Sequence, residues 1–385
     1  MTGSKSHAIA ADTVFDGAAL HRDGAVVIDG PDIAFLCARR ELPRDIPVRA
    51  LPSGVWLAPG FIDVQVNGGG DVLFNDDPTA DGILAIAAAH RRFGTTGLLP
   101  TLISDTPEKM RCAGEAVGAA MRLCPGVLGI HFEGPFLSPE RPGVHDPAMF
   151  RIPDNTDLAL LTTPRGGATL VTLAPECVPP GFINALAREG VRIALGHSMA
   201  SYEQTKAALA EGLTGFTHLF NAMRPLAARD PGPIAAALEE PRAFYGLIVD
   251  GEHVAPAMLR LALRGLGQAI LVTDAMPPVG GSRNAFRLCG KDIIVRDGRV
   301  ATGEGVLAGS ALDMASAVRN CVSLLGMTLP EALRLASAAP ATFLGLSDRF
   351  GSLAPGHRAD IVALDPEAVR VLTTWVAGKA DEPAS

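Results

Sequence analysis

Between residues 61 and 274 the sequence sets down eight short apolar runs at regular intervals, reading FIDVQV, TGLLPTL, VLGIHF, TLVTLA, VRIAL, LTGFTH, FYGLIV and AILVTD. A few apolar residues followed by Gly, Pro or a polar residue is the pattern of a buried parallel strand. Most gaps between runs hold helix-like, Ala-rich stretches: ADGILAIAAAHRRFG before the second run, PEKMRCAGEAVGAAMRLC before the third and YEQTKAALAEG before the sixth. Strand and helix alternating at this spacing means parallel βα units. Eight such units predict an α/β fold closed into a (β/α)8 TIM-like barrel. A doubly wound open sheet is the alternative, but no GxGxxG turn opens the first unit.

The two ends of the chain read differently. Residues 8 to about 57 break into short β-like pieces, HAIAADTVFDG, AVVIDG and DIAFLC, and the tail GSLAPGHRADIVALDPEAVRVLTTWVAG has the same character. Neither end holds enough strands to build a core alone. Together they predict a small β-sandwich domain from residues 1–57 plus 350–385, with the barrel at 58–349 inserted between. After Asp274 comes another β-like stretch, FRLCGKDIIVRDGRVAT, with an Asp-Gly turn signal. Residues 312–346 read as helical, with Thr328 placed to cap a helix and Pro330 in its first turn.

Composition narrows the function classes. The 385 residues are 48% hydrophobic, with 42 Gly and 30 Pro, which suits many strand–loop–helix junctions and argues against disorder. A net charge of −8 without a Lys/Arg block argues against a nucleic-acid surface, though a pocket can still be locally positive. No apolar run reaches the roughly 18 residues of a membrane span, and the start MTGSKSHAIAADTV lacks the apolar core of a signal peptide. The six cysteines, at 37, 112, 124, 177, 289 and 321, are scattered without a CxxC pair and read as free thiols. A soluble cytoplasmic protein is the expectation.

Four polar residues stand where apolar runs end: Glu133, His197, His218 and Asp274. In a parallel barrel the C-terminal strand ends converge on one face, where catalytic groups collect. One carboxylate and two imidazoles with an open position form an accepted catalytic zinc set. Asp274 would then be a separate acid/base. Any one of these histidines alone is more simply a hydrogen-bonded structural residue; four such residues at four strand ends favour a metal hydrolase. His131, two residues before Glu133, faces the same side of its strand and is either a support for the site or core packing.

The blocks PGFIDVQVNGGGDVLFND, HFEGPFLSPERPGVHDP, TLAPE, GHSMASYEQ, THLFNAMRPL, DPGPIAAAL, VDGEHV and LVTDAMPPVGG occur in that order. Together they resemble the N-acetylglucosamine-6-phosphate deacetylase family of the amidohydrolase superfamily, over about residues 55–375. The resemblance implies hydrolysis of the N-acetyl group of N-acetyl-D-glucosamine 6-phosphate to glucosamine 6-phosphate and acetate. It implies Glu133, His197 and His218 as ligands of one divalent metal ion per subunit, with Zn2+ the expected ion and Fe2+ suited to the same ligands. Asp274 matches the general base and acid. Val144, His145, Asn221, Ala222, His253, Leu307, Ala308 and Gly309 match substrate-binding positions. Arg229 matches an arginine that binds phosphate across a homodimer, reaching the neighbouring active site. Each has a plainer reading: a surface loop for His145, a solvated side chain for Arg229, turn or cap residues for Asn221 and His253, and a tight turn for residues 307–309.

The first strand departs from the superfamily. Many amidohydrolases carry His-x-His there for a second metal, where this chain has Gln65 and Asn67. A neutral amide is a poor ligand for a tightly held transition metal, so a single-metal site is expected, with Gln65 near the metal-bound water or a vacant second site. Two other readings stay open at this level. One is an amidohydrolase acting on a different N-acyl or cyclic amide; the other is a catalytically silent barrel serving as a scaffold.

Overall fold

The computed structural model describes residues 6–381. Residues 1–5 of the N-terminal stretch and residues 382–385 of the expected small domain lie outside the described residues. The chain divides into two compact units, one made of residues up to 63, 90–97 and from 314 onward, the other of 64–89 and 98–313.

Eight strands form one sheet in sequence order: β1 (Phe61–Val66), β2 (Thr95–Ile103), β3 (Gly129–Glu133), β4 (Ala168–Leu173), β5 (Arg192–Leu195), β6 (Gly215–Phe216), β7 (Phe244–Leu247) and β8 (Gln268–Leu271). The pairs from β2 through β8 are parallel. The ring closes where Val66 bridges Ala275 in parallel and Asp274 N–H donates to the Gln65 carbonyl at 3.0 Å. This is the (β/α)8 barrel that the alternation predicts. The short β6 is the main departure in strand length: LTGFTH contributes only Gly215–Phe216, and the chain turns at once toward His218.

The helices between strands start where local chemistry supplies a cap. Helix α1 (Ala80–Arg91) is followed by α2 (Pro107–Leu123), in which Thr106 accepts from Lys109 N–H and Pro107 opens the first turn. Its buried Met110, Ala113, Val117 and Ala120 recur at helical spacing and form one apolar stripe. Past α3 (Asn155–Thr162) and α4 (Phe182–Arg188), helix α5 (Tyr202–Glu211) opens on a capping box between Ser201 and Gln204 and stops at Gly212, which is left-handed. Helices α6 (Gly232–Glu239) and α7 (Pro256–Ala262) complete the set before β8. Residues 285–302 form a three-stranded antiparallel sheet of their own, whose Leu288, Ile293 and Val300 pack with Val144, Met276 and Ala308.

The other unit carries a second sheet built from both ends of the chain. Strand His7–Phe15 pairs antiparallel with Leu20–Asp29, and Trp56–Pro59 pairs antiparallel with Ile361–Asp365. The core of this unit joins Ile9, Val14, Val26 and Leu57 to Ile361 and Trp375, so neither end could bury its apolar face alone. The tail motif HRAD supplies a buried ion pair. Arg358 Nε lies 2.9 Å from both oxygens of Asp360, whose Oδ1 also accepts from Ala377 N–H at 2.9 Å. Removing one partner of such a pair costs about 3–5 kcal/mol, because the other charge is left buried alone. All six cysteines are free thiols. Among the described residues no helix is long and apolar enough to cross a membrane.

Candidate metal centre

Glu133 is the last residue of β3, His197 lies just beyond β5, His218 just beyond β6 and Asp274 beyond β8. Strand closure brings these distant positions to one end of the barrel. Three of them turn out of their strands through left-handed backbone, with φ of 49° at His197, 32° at His218 and 52° at Asp274. A side chain held in that region costs roughly 1–3 kcal/mol and persists where tertiary structure enforces it.

The ligand atoms of Glu133, His197 and His218 lie within 4.8 Å of one another, and all three residues are buried. Glu133 Oε1 sits 3.2 Å from His197 Nε2 and 3.0 Å from His218 Nε2, and the two imidazole nitrogens are 3.2 Å apart. His197 Nδ1 donates to the Arg141 carbonyl at 2.8 Å, which leaves Nε2 with a free lone pair facing the cluster when the ring is neutral. Burial acts to raise the Glu133 carboxyl, but its bonds with both imidazoles outweigh this and hold it well below the carboxylate range. Burial acts to lower His218, and its hydrogen bond and attraction to Glu133 reverse the sign. A buried carboxylate favours positive charge on whatever stands beside it. Two nitrogens and an oxygen converging on one point fit a divalent cation such as zinc.

Asp274 stands apart from the three. Its Oδ1 accepts from Asn67 Nδ2 at 2.6 Å and from Gln65 Nε2 at 3.1 Å, and the same Gln65 nitrogen donates to Glu133 Oε2 at 3.2 Å. Burial, then the negative charge of Glu133, pushes the Asp274 carboxyl up to about 6. A carboxyl tuned toward neutrality can both accept and return a proton near physiological pH. The two first-strand amides are therefore spent on the carboxylates as hydrogen-bond donors.

A cavity of about 360 Å3 opens onto this cluster. Val144, His145, Asn221, Ala222, His253, Leu307 and Gly309 line it together with Asn67 and Asp274. His145 is buried, its ring 4.5 Å from that of His197. Burial, then the charge of His197, pushes His145 down to about 3, so the ring is neutral. Ser104 N–H donates to His145 Nδ1 at 3.4 Å and Ser104 Oγ lies 2.8 Å from the same atom, which puts the ring's proton on Nε2. His253 Nδ1 is 2.6 Å from Asp250 Oδ2, and Asn221 Nδ2 donates to the His218 carbonyl at 3.1 Å. Gly309 has φ of 67°, and a Cβ there would lie 2.7 Å from the Asp274 carbonyl oxygen, so only glycine lets this loop approach.

Two of the expected positions lie elsewhere. Ala308 is fully buried against Met276 and Val144 behind the lining residues. Arg229 is exposed on the loop after Met223 and lies outside the lining of this cavity. Sequence reasoning also missed partners that only the fold supplies: Ser104 on His145, Asp250 on His253, the Arg141 carbonyl on His197, and Asn67 on Asp274. The Asp-Gly-Glu-His spacing could have pointed to Asp250, but nothing local marks Ser104.

A parallel barrel that gathers two imidazoles and a carboxylate at its strand ends, with a second carboxylate held apart, is the framework of a metal-dependent hydrolase. The amidohydrolase family model matches residues 56–381, and the chain belongs to that family. An N-acetylgalactosamine-6-phosphate deacetylase from Shewanella sp. (strain ANA-3) is 43% identical over 344 residues, covering 88% of this chain and 86% of the relative. The N-acetylglucosamine-6-phosphate deacetylase of Homo sapiens is 38% identical, covering 85% of this chain and 83% of the relative. The crystal structure of N-acetylglucosamine-6-phosphate deacetylase from Pasteurella multocida superposes with a TM-score of 0.94 at 32% identity, covering 98% of this chain and 100% of that one. A variant of the Mycobacterium smegmatis deacetylase, in complex with N-acetyl-D-glucosamine-6-phosphate, superposes at 0.88 with 36% identity, covering 98% and 99%.

Proposed function

We propose that this amidohydrolase removes the acetyl group of N-acetyl-D-glucosamine 6-phosphate by hydrolysis, giving D-glucosamine 6-phosphate and acetate, in the breakdown or recycling of amino sugars. The observation that carries the reading is the buried Glu133–His197–His218 cluster with Asp274 held separately beside it, in a chain whose relatives bear deacetylase names across most of their length.

When bound to Glu133, His197 and His218, one divalent ion, Zn2+ or Fe2+, supplies Lewis acidity to the amide carbonyl and acidifies water. Asp274, poised by burial near neutrality, takes the proton of the attacking water. It then gives that proton to the amide nitrogen, without which an amine anion would have to leave. His145, neutral and protonated on Nε2, is a hydrogen-bond donor for the carbonyl oxygen as negative charge develops there. Gln65 keeps the two carboxylates in fixed register, and the use of the Gln65 and Asn67 amides as donors to carboxylates supports a single-metal site. Asn221, Ala222, His253 and the 307–309 loop hold the sugar and its acetamido group. Binding energy gathered at the distant phosphate keeps the amide in register for attack.

The family resemblance supports a homodimer in which Arg229, exposed on its loop, reaches the phosphate in the neighbouring site. Six free thiols support a reducing compartment, the cytoplasm. The 43% identity to an N-acetylgalactosamine-6-phosphate deacetylase favours a second reading, the galactosamine epimer as substrate. Steady-state turnover of both phosphorylated epimers, and of unphosphorylated N-acetylglucosamine, decides between these readings. Arg229→Ala should raise KM for the phosphorylated sugar by roughly tenfold or more, as loss of a charge-assisted contact does. Equal turnover of the unphosphorylated sugar, with no effect of Arg229→Ala, would sink the phosphosugar assignment.

A further inference from the structure

The turn that carries His197 is anchored from a strand that supplies no ligand. Glu176, in the TLAPE block just after β4, turns both carboxylate oxygens toward it. Oε2 accepts from Ser198 Oγ at 2.7 Å and Oε1 from Met199 N–H at 2.5 Å, the two residues that follow His197. Ser198 is fully buried, and its Oγ also accepts from Ala200 N–H at 3.0 Å.

The same segment holds the second imidazole. Ser198 N–H donates to the Ala222 carbonyl at 3.0 Å, and Arg224 N–H donates to the Ser198 carbonyl at 2.9 Å, so the chain after His218 is stitched to the chain after His197. Arg224 also donates through Nη1 to the Met199 carbonyl at 3.2 Å. His197, His218, Phe220 and Ala222 all have positive φ. Backbone of this kind persists only where its surroundings hold it, and both imidazoles project from it.

We propose that Glu176 is a positioning residue for the metal centre: by clamping residues 198 and 199 it fixes the turn that carries His197, and through the Ser198–Met223 backbone bridge the turn that carries His218. This inference rests on the reading that Glu133, His197 and His218 hold a divalent ion. Glu176 itself is not among the grouped ligands and acts only through the backbone it grips. Two acceptor oxygens are needed, since both partners donate. Glutamine keeps one acceptor and presents an N–H to the other partner, so it preserves part of the clamp; alanine removes all of it.

The test is Zn2+ affinity of metal-stripped full-length protein, measured by competition with a chromophoric chelator, alongside the melting temperature of the same metal-free samples. Glu176→Ala should weaken Zn2+ binding by about 10- to 100-fold, the range found when groups supporting a metal ligand are removed. Glu176→Gln and Ser198→Ala should weaken it by less, with metal-free melting temperatures close to wild type in all three. Unchanged Zn2+ affinity in a folded Glu176→Ala protein overturns the proposal, as does a fall in melting temperature with affinity intact. Should Glu176→Ala fail to fold, Glu176→Gln and Ser198→Ala decide by the same criterion. Wild-type protein that binds no Zn2+ would defeat the metal reading itself, a result separable from the failure of Glu176.

Discussion

His131 and Glu133 stand two residues apart on β3, on one face of the strand and equally buried, yet they meet opposite surroundings. His131 is enclosed by hydroxyls: its Nδ1 is 3.2 Å from Thr101 Oγ1, its Nε2 is 2.7 Å from Thr172 Oγ1, and Thr172 passes on to Thr217 at 2.6 Å. Hydroxyls donate and accept as required, and the Val64 backbone adds a further hydrogen bond, so both ring nitrogens are served within the protein. Burial pushes His131 down to about 4, so the ring stays neutral in this layer. Glu133, one layer nearer the strand ends, meets two imidazole nitrogens and an amide donor. Its charge is balanced only if a proton or a cation joins the cluster. Burial and polarity are common to both residues; what separates them is whether the surrounding partners complete the group's hydrogen bonding and charge balance.

The sharpest way to break this comparison is to remove Glu133. Glu133→Ala should abolish both metal content, measured by elemental analysis, and turnover; a variant that keeps one equivalent of metal would place the ion elsewhere. Asp274→Asn should retain the metal and lose on the order of 10³-fold in kcat, the usual contribution of a positioned acid/base. Near-normal turnover would remove Asp274 from that role. His131→Leu should show the reverse signature: a loss of about 1–3 kcal/mol in unfolding free energy, from a buried network left short of partners, with metal content unchanged. If it lost metal while stability held, the division between the two layers would fail.

Asn67→Ala should have the smallest effect, and it tests how Asp274 is tuned. The Asn67 hydrogen bond favours the charged carboxylate and offsets part of the upward push from burial and Glu133. Removing it raises the pKa of Asp274. Because the base must be deprotonated to act, the acid limb of the kcat/KM profile should move to higher pH. A shift to lower pH would reverse the sign assigned to this contact.

Much of this was legible in the chain. Eight apolar runs with Ala-rich stretches between them predicted the barrel, because strand burial and helix amphipathicity are written in local periodicity. The quartet Glu133, His197, His218 and Asp274 could be picked out because closing a parallel barrel brings its strand ends together. The expected pairing of the two chain ends appears as the pairing of Trp56–Pro59 with Ile361–Asp365, across about three hundred residues. Other features were invisible. Gln65 and Asn67 read as missing metal ligands, and only the fold shows their amides donating to Asp274 and Glu133. Ser104 is unremarkable in sequence and Glu176 stands out only as the end of the TLAPE block, since a hydrogen bond between residues 41 or 22 positions apart leaves no local trace of its partner.

By itself, then, the sequence determined the architecture, the residue types gathered at the strand ends and the absence of a His-x-His pair on the first strand, since these follow from residue chemistry and spacing along single strands. Tertiary structure alone decided which oxygen faces which nitrogen. It raised the Asp274 carboxyl by burial, kept Arg229 out of its own cavity lining, and placed Glu176 against the turn that follows His197. Distances between side chains on different strands depend on closure, stagger and left-handed turns, and those are properties of the assembled barrel.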